Sequence, residues 1–277
     1  MTEIHPTAIV HPNIKLKRGV KIGPYSVIDS PDVILEEDVE IKSHVHIAGN
    51  VHVKKGTKIY PFASIGSPPQ KHHYIEQEKN PIEIGENCEI REYVSINSSH
   101  GAGEKVTIGD RCFIMAYCHI AHNCRIGNFV TMANGATLGG HVVVGDYANF
   151  GGLCAIHQWC MIGEHAMVGG GTMASNDIPP FSLVAGYPVK LNGLNWIGLK
   201  RRNVPHEALM SLVKAYRITC KSRMTWKEAR EELVNTVEMN PYLHKWIEFC
   251  DNSKRGLPPI REKAVQSSNS SQLAEIG

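Results

Sequence analysis

Imidazole is the side chain whose unperturbed proton affinity lies nearest neutrality, and the 277-residue chain carries 15 of them. His122, His141, His157 and Gln158 share a relation when positions are compared at intervals of 18. Residue 140 lies one interval beyond His122 and residue 158 two, so His141 is displaced by one residue and Gln158 by none. His119 stands three residues before His122. If 18 residues make one coil of a solenoid with rungs about 4.8 Å apart, these polar groups converge on one edge. A single histidine is more often structural; the convergence is what points to chemistry. Such a cluster can take a proton from an attacking hydroxyl and return it to a leaving thiol. No Ser-His-Asp or Cys-His arrangement accompanies it, so direct attack by a substrate hydroxyl, without a covalent enzyme intermediate, is the economical route. Gly139-Gly140, just before His141, offers a backbone N–H that no β-carbon shields, suited to a developing oxyanion.

The elements that would position these groups are written in a six-residue repeat. Aliphatic residues recur at Ile4, Val10, Leu16, Ile22 and Ile28, then from Leu35 through Ile65, at Ile84, Ile90 and Ile96, and from Ile108 through Ala174. A helix would drift off one face at this period, whereas three short strands closing a triangle turn every sixth side chain inward. Four positions after the aliphatic residue comes a small one, such as Ala8, Ser26, Thr57 or Ala136. Glycine often follows the aliphatic residue directly (Ile22-Gly23, Ile84-Gly85, Ile108-Gly109), where a positive φ is expected. Cys88, Cys112, Cys118, Cys124, Cys154 and Cys160 occupy the small interior slot. They are expected in the core, reduced, and not as zinc ligands, since no CxxC pair is present.

Two segments, 66–82 and 97–107, depart from the period and are expected to be loops, of the kind that carries function on a rigid scaffold. The hexads stop after Asp177-Ile-Pro-Pro180, and helical spacing begins at Pro205. Thr225-Trp-Lys-Glu228 is a capping box and Asn240-Pro241 a helix start. The expected division is a β-solenoid over 1–190, a helical domain over 191–263 and a disordered tail over 264–277. Residues 200–263 hold 14 Lys and Arg against 8 Asp and Glu, enough to steer an acidic protein or a nucleotide diphosphate. The whole-chain balance of +2 gives no case for nucleic acid. Neither a signal peptide nor a membrane-length apolar run is found, so a cytoplasmic protein without membrane insertion is expected.

His119-Ile-Ala-His122-Asn-Cys, Gly139-Gly-His141, Ile156-His157-Gln158-Trp159, Met167-Val-Gly-Gly170, Asp177-Ile-Pro-Pro180 and Leu199-Lys-Arg-Arg202 together resemble the UDP-N-acetylglucosamine O-acyltransferases of lipid A biosynthesis, from Ile4 to about Arg261. The resemblance implies a mainly β fold, a left-handed parallel β-helix followed by a C-terminal α-helical domain. It implies a homotrimer with sites between subunits, and transfer of a 3-hydroxyacyl chain from acyl carrier protein to the 3-hydroxyl of UDP-N-acetylglucosamine. The donor would be the carrier's phosphopantetheine thioester, with no other cofactor and no metal. His122 would be the general base and the Gly140 amide the oxyanion donor. His119, His141, His157, Gln158, Gln70 and His73 would position substrate, and Asn195, Arg201 and Arg202 would hold the nucleotide. Gly170 would leave the acyl groove open to a long chain.

The chain departs from many relatives in its first loop, Gln70-Lys71-His72-His73, where an acidic residue usually follows the glutamine, and in Asn123, where some carry Asp. The first leaves open a paralogue acting on an amino-sugar nucleotide; the second weakens any claim that a carboxylate orients His122. The related N-acyltransferases carry a further domain ahead of the repeat, for which hexads starting at Ile4 leave no room. A noncatalytic β-helix is the remaining alternative, though the Thr-rich arrays of an ice binder are absent.

Overall fold

The computed structural model describes residues 1–72, 80–222 and 224–261. Strands of two to five residues stack into three sheets of eleven, nine and eight strands, each made of every third strand in the repeat. All pairings are parallel except the last, Ser182–Ala185 with Lys190–Leu194. The six-residue columns are in register: Ile22, Ile41, Ile59, Ile90, Ile114, Met132 and Phe150 pair in succession within one sheet. All seven are buried, and each stabilises the prism by about 1.5–3 kcal/mol through area removed from water.

The small slot has a second requirement besides size. Its side chain donates to a turn carbonyl on the next rung: Ser26 Oγ to Lys42 O (2.6 Å), Thr57 Oγ1 to Gly85 O (2.7 Å) and Cys124 Sγ to Gly139 O (3.2 Å). Serine, threonine and cysteine thus serve one purpose there, and all six repeat cysteines are buried and free. Burial pushes the thiols of Cys118 and Cys124 up to about 11 and about 12, so both stay protonated.

The expected backbone of the glycines that follow the aliphatic residue is corrected by the structure. Gly23, Gly85 and Gly109 do not take positive φ; that conformation falls two residues later, at non-glycine positions including Tyr25, Phe62, Tyr93, Asn123, Phe129, His141, Tyr147 and Trp159. The glycines are needed because the rungs touch: a β-carbon on Gly85 would lie 2.5 Å from the Gly109 carbonyl. The left-handed corner costs an ordinary residue about 1–2 kcal/mol. It also turns each corner side chain outward onto the next rung, where rings stack. Tyr25, His44, Phe62, Tyr93 and Tyr117 form one ladder at 4.9–5.1 Å between centroids. Phe129, Tyr147, His165 and Phe181 form a second, and His141 with Trp159 a third.

After the antiparallel pair come α1 (Trp196–Arg201), α2 (His206–Tyr216), α3 (Trp226–Thr236) and α4 (Pro241–Asn252). Residue 190 therefore lies in the last strand. Thr225 forms the capping box of α3 and Asn240 caps α4, with Pro241 in its first turn. Asp177 fastens the helical end to the prism. Its buried carboxylate accepts from Met161 N, Ser253 Oγ, Lys254 N and Arg255 N at 2.7–3.0 Å. The tail expected over 264–277 lies outside the described residues. Among the described residues no helix is long and apolar enough to cross a membrane.

Candidate active site

One edge of the prism collects both loops and the central histidines. The strand Ser64–Ser67 leads to Ile82–Ile84 across the first loop, and Ser95–Asn97 to Val106–Ile108 across the second. On the next rungs the same corner holds His122-Asn123, then Gly140-His141, then Gln158-Trp159, as the register Ile96–Ile120–Leu138–Ile156 requires. The loops are tied to each other and to this corner. Asn97 Nδ2 donates to Pro68 O (2.7 Å), Asn80 Nδ2 to Ser99 O (3.0 Å), and Ser99 Oγ accepts from Asn123 N (3.0 Å).

The environment of His122 fixes its tautomer. Asn123 Nδ2 faces two acceptors, His100 O at 3.1 Å and Glu104 Oε2 at 3.2 Å, so its amide orientation is determined. Asn123 Oδ1 can then only accept, and it lies 2.9 Å from His122 Nδ1. The proton sits on Nδ1, and Nε2 carries a lone pair. The orienting contact expected of a carboxylate is thus made by a neutral amide. Against the ring lies Gly140, where a β-carbon would fall 2.4 Å from Cε1 and 2.6 Å from Nε2. Among the described residues the Gly140 N–H meets no backbone acceptor, while Gly139 N–H bonds Ile156 O and His141 N–H bonds His122 O. A lone pair and an uncommitted amide donor therefore stand side by side, the pair that a proton-coupled acyl transfer uses.

His141 is clamped against the indole of Trp159, with centroids 3.6 Å apart and rings 7° from parallel; its ring lies 5.1 Å from that of His122. Burial, then the neighbouring His122 and His100, hold its pKa below the ordinary imidazole value. His119 sits on the adjoining flat face, where Nδ1 meets Ser95 Oγ at 2.8 Å; burial and then His122 lower its pKa too. His157 and Gln158 are exposed on the rung above His141, with His157 Nδ1 donating to the Gln158 carbonyl at 3.0 Å. Gln70 is exposed in the first loop, and the charge of neighbouring Lys71 reaches His141, opposing its protonation. His73 lies outside the described residues.

The expected nucleotide-binding residues are not at this edge. The Arg202 guanidinium lies 4.5 Å above the ring of Tyr147, on the corner between Val143–Val144 and Asn149–Phe150. Asn195 caps α1, accepting from Gly198 N (3.1 Å) and donating to His165 O (2.9 Å); one lone pair and one N–H of the amide remain for a ligand. Arg201 and Arg202 are exposed. Gly170 is exposed on the third corner, where a β-carbon would meet little besides Gly152 O at 3.3 Å. Within one chain the histidines, the arginines and Gly170 therefore stand on three different edges.

His165 in the ladder beside Arg202 has its pKa lowered to about 4, by burial first and then by Arg202 and Lys245. An imidazole kept neutral in the folded state contributes stability that is complete above its unfolded value, near 6.5, and lost as pH falls towards 4. The Tm of the wild type should fall more steeply between pH 6.5 and 4 than that of His165→Phe; equal slopes would contradict this.

Sequence periodicity missed His100, whose ring lies 4.7 Å from that of His122, because the second loop interrupts the count. Counting the strands on either side of the loop would have placed it on the His122 edge. It also missed Trp159 as the plate that holds His141. Ligand nitrogens of His100, His122 and His141 all lie within 4.8 Å of one another, a geometry able to hold a metal ion.

Comparison with known proteins agrees with this architecture. Residues 105–140 match the bacterial transferase hexapeptide family (six repeats), and 177–258 match the family described as UDP-N-acetylglucosamine O-acyltransferase, domain 2. An acyl-(acyl-carrier-protein)–UDP-N-acetylglucosamine O-acyltransferase of Chlamydia caviae is 50% identical over 258 residues, 93% of this chain and 92% of the relative. That of Thermodesulfovibrio yellowstonii is 44% identical over 93% and 99%. The solved UDP-N-acetylglucosamine acyltransferase of Campylobacter jejuni is 35% identical, covers 94% of this chain and 100% of its own, and superposes with a TM-score of 0.87. With the left-handed parallel β-helix, the helical end and these relatives together, the chain belongs to the UDP-N-acetylglucosamine O-acyltransferase family.

Proposed function

We propose that the protein transfers a 3-hydroxyacyl chain from acyl carrier protein to the 3-hydroxyl of UDP-N-acetylglucosamine, the first step of lipid A biosynthesis. The observation that carries this reading is the His122 Nε2 lone pair, fixed by Asn123 and set against the uncommitted amide of Gly140. Nε2 takes the proton of the sugar hydroxyl as its oxygen attacks the thioester carbonyl. The new C–O bond gives a tetrahedral oxyanion facing the Gly140 N–H, the C–S bond breaks, and His122 returns the proton to the departing phosphopantetheine thiolate. No cofactor beyond the carrier's thioester is needed. His141, with its lowered pKa, stays neutral beside a protonated His122. His119, His141, His157, Gln158, Gln70 and His73 position sugar and acyl groups, and Gly170 leaves the groove open to a long chain.

Asn195, Arg201 and Arg202 hold the nucleotide, and their place on another edge than His122 is the reason to propose a homotrimer. In a cyclic trimer the histidine edge of one subunit faces the arginine edge of the next. The solenoid over 1–190 then carries the chemistry, while the basic segment 191–263 steers the acidic carrier. Eight free cysteines suit the reducing cytoplasm. The acceptor is tested by offering purified protein a panel of 3-hydroxyacyl carrier proteins with UDP-N-acetylglucosamine or its 3-amino analogue and reading product masses. The O-acylated sugar with a long chain is expected. Product with only the amino analogue would favour the paralogue that Lys71 leaves open, and no product with either acceptor would refute the reading.

A further inference from the structure

We propose that His100, His122 and His141 form a binding site for a zinc-class divalent cation, and that occupancy of this site shuts the acyl transfer off by capturing the lone pair of the base; the inhibitory half rests on the reading of His122 given above. The three imidazoles come from consecutive rungs of one edge, and their ligand nitrogens already lie within 4.8 Å of one another. Zinc–nitrogen bonds of about 2.0–2.1 Å in a tetrahedral site need nitrogens roughly 3.4 Å apart, so the rings need close by at most about 1.4 Å. Imidazole suits zinc, copper, nickel and cobalt, and three histidines with a fourth position open to water is a recurrent zinc arrangement.

The support around the ligands is what separates this cluster from a chance gathering of histidines. Metal-binding imidazoles characteristically donate their second nitrogen to an oxygen that fixes the tautomer; His122 Nδ1 does so to Asn123 Oδ1 at 2.9 Å, which leaves Nε2 to ligate. Asn123 is buried and also holds His100 in place through the His100 carbonyl at 3.1 Å. Trp159 fixes the plane of His141 by stacking at 3.6 Å. The loop that presents His100 is anchored by Asn80 Nδ2 to Ser99 O and Gly101 O at 3.0 and 3.1 Å. Glu104, whose Oε2 accepts from Asn123 Nδ2, adds a negative charge next to the site. The six cysteines of the repeat are buried in the core, and the nearest of them, Cys124 and Cys118, donate to backbone carbonyls of the next rung, so they do not compete for the ion.

The test uses the full chain freed of metal by chelator. Titration with Co2+ should give one ion per chain with the visible bands of a four-coordinate nitrogen–oxygen site and no thiolate charge-transfer band, displaced by one equivalent of Zn2+. His100→Gln and, independently, His141→Gln should weaken binding by more than the roughly 10–100-fold that loss of an outer-shell partner costs. Activity of the wild type should fall in proportion to occupancy and return with EDTA, and the Zn2+ needed for half inhibition should rise in His100→Gln by the same factor as its dissociation constant. Absence of saturable binding, or binding unchanged in both folded variants, would overturn the site while leaving His122 as base untouched. Stoichiometric binding that His100→Gln abolishes, without any loss of acyl transfer on occupancy, would overturn the inhibition and with it the assignment of His122 as base.

Discussion

His122→Ala should lower kcat/KM for acyl transfer by roughly 10²–10⁴-fold, the contribution of a positioned general acid–base group. The loss should appear in kcat as well as in kcat/KM, because a proton held in flight is an interaction of the transition state and not of the bound substrate. The fold should survive, since the ring lies outside the prism, on an edge whose inward neighbours Ile120 and Cys124 are untouched. Circular dichroism and Tm close to the wild type, with activity nearly gone, are the expected pair of observations. A His122→Ala protein within a few-fold of wild-type turnover would remove the residue from the mechanism.

Gly140→Ala is expected to do comparable damage by a different route. The added carbon would stand 2.4–2.9 Å from three atoms of the His122 ring, so the ring must leave the position in which Asn123 holds it. The methyl group would also crowd the amide proposed to meet the oxyanion, and loss of one such donor costs about 10²–10³-fold in kcat. Because the obstruction is a side chain able to swing away, Tm should change little. Gly139→Ala is the informative contrast. Its β-carbon would fall 2.7 Å from the backbone nitrogen of Gln158, which cannot move without separating two rungs, so that variant should lose stability as well as activity. If Gly140→Ala retained full activity, the ring and the amide would not work as a unit.

What the sequence made legible was whatever follows from a strict period. Spacing alone places Ile22, Ile41 and Ile59 in one column, and the same counting puts His122, Gly140 and Gln158 on one edge. Counting fails where the period is broken. His100 belongs to a coil lengthened by its loop, so its remainder carries no information, and its edge follows from the strands that flank the loop, Ser95 pairing with His119. Local conformation was also hidden: glycine suggested positive φ at Gly85, whereas the corner lies at Asn87 and the glycine is there for a neighbouring rung. The neutral clamp on His122 escaped for a third reason. By residue type Asn123 is a missing carboxylate, yet an amide oxygen accepts the Nδ1 proton once its NH₂ group is committed to His100 O and Glu104.

The histidines and Arg202 occupy different corners of one prism, so the proposed site draws them from two chains. The most direct test is to combine two variants, His122→Ala and Arg202→Ala, each lacking one half of the proposed site, by co-expression at equal amounts, and to assay the purified mixed assembly. If each site draws its histidines from one subunit and its arginine from the next, about a quarter of the sites regain both intact halves, and activity should return to about a quarter of the wild type. Activity no higher than the mean of the two separate variants would contradict a shared site and place the whole reaction within a single chain.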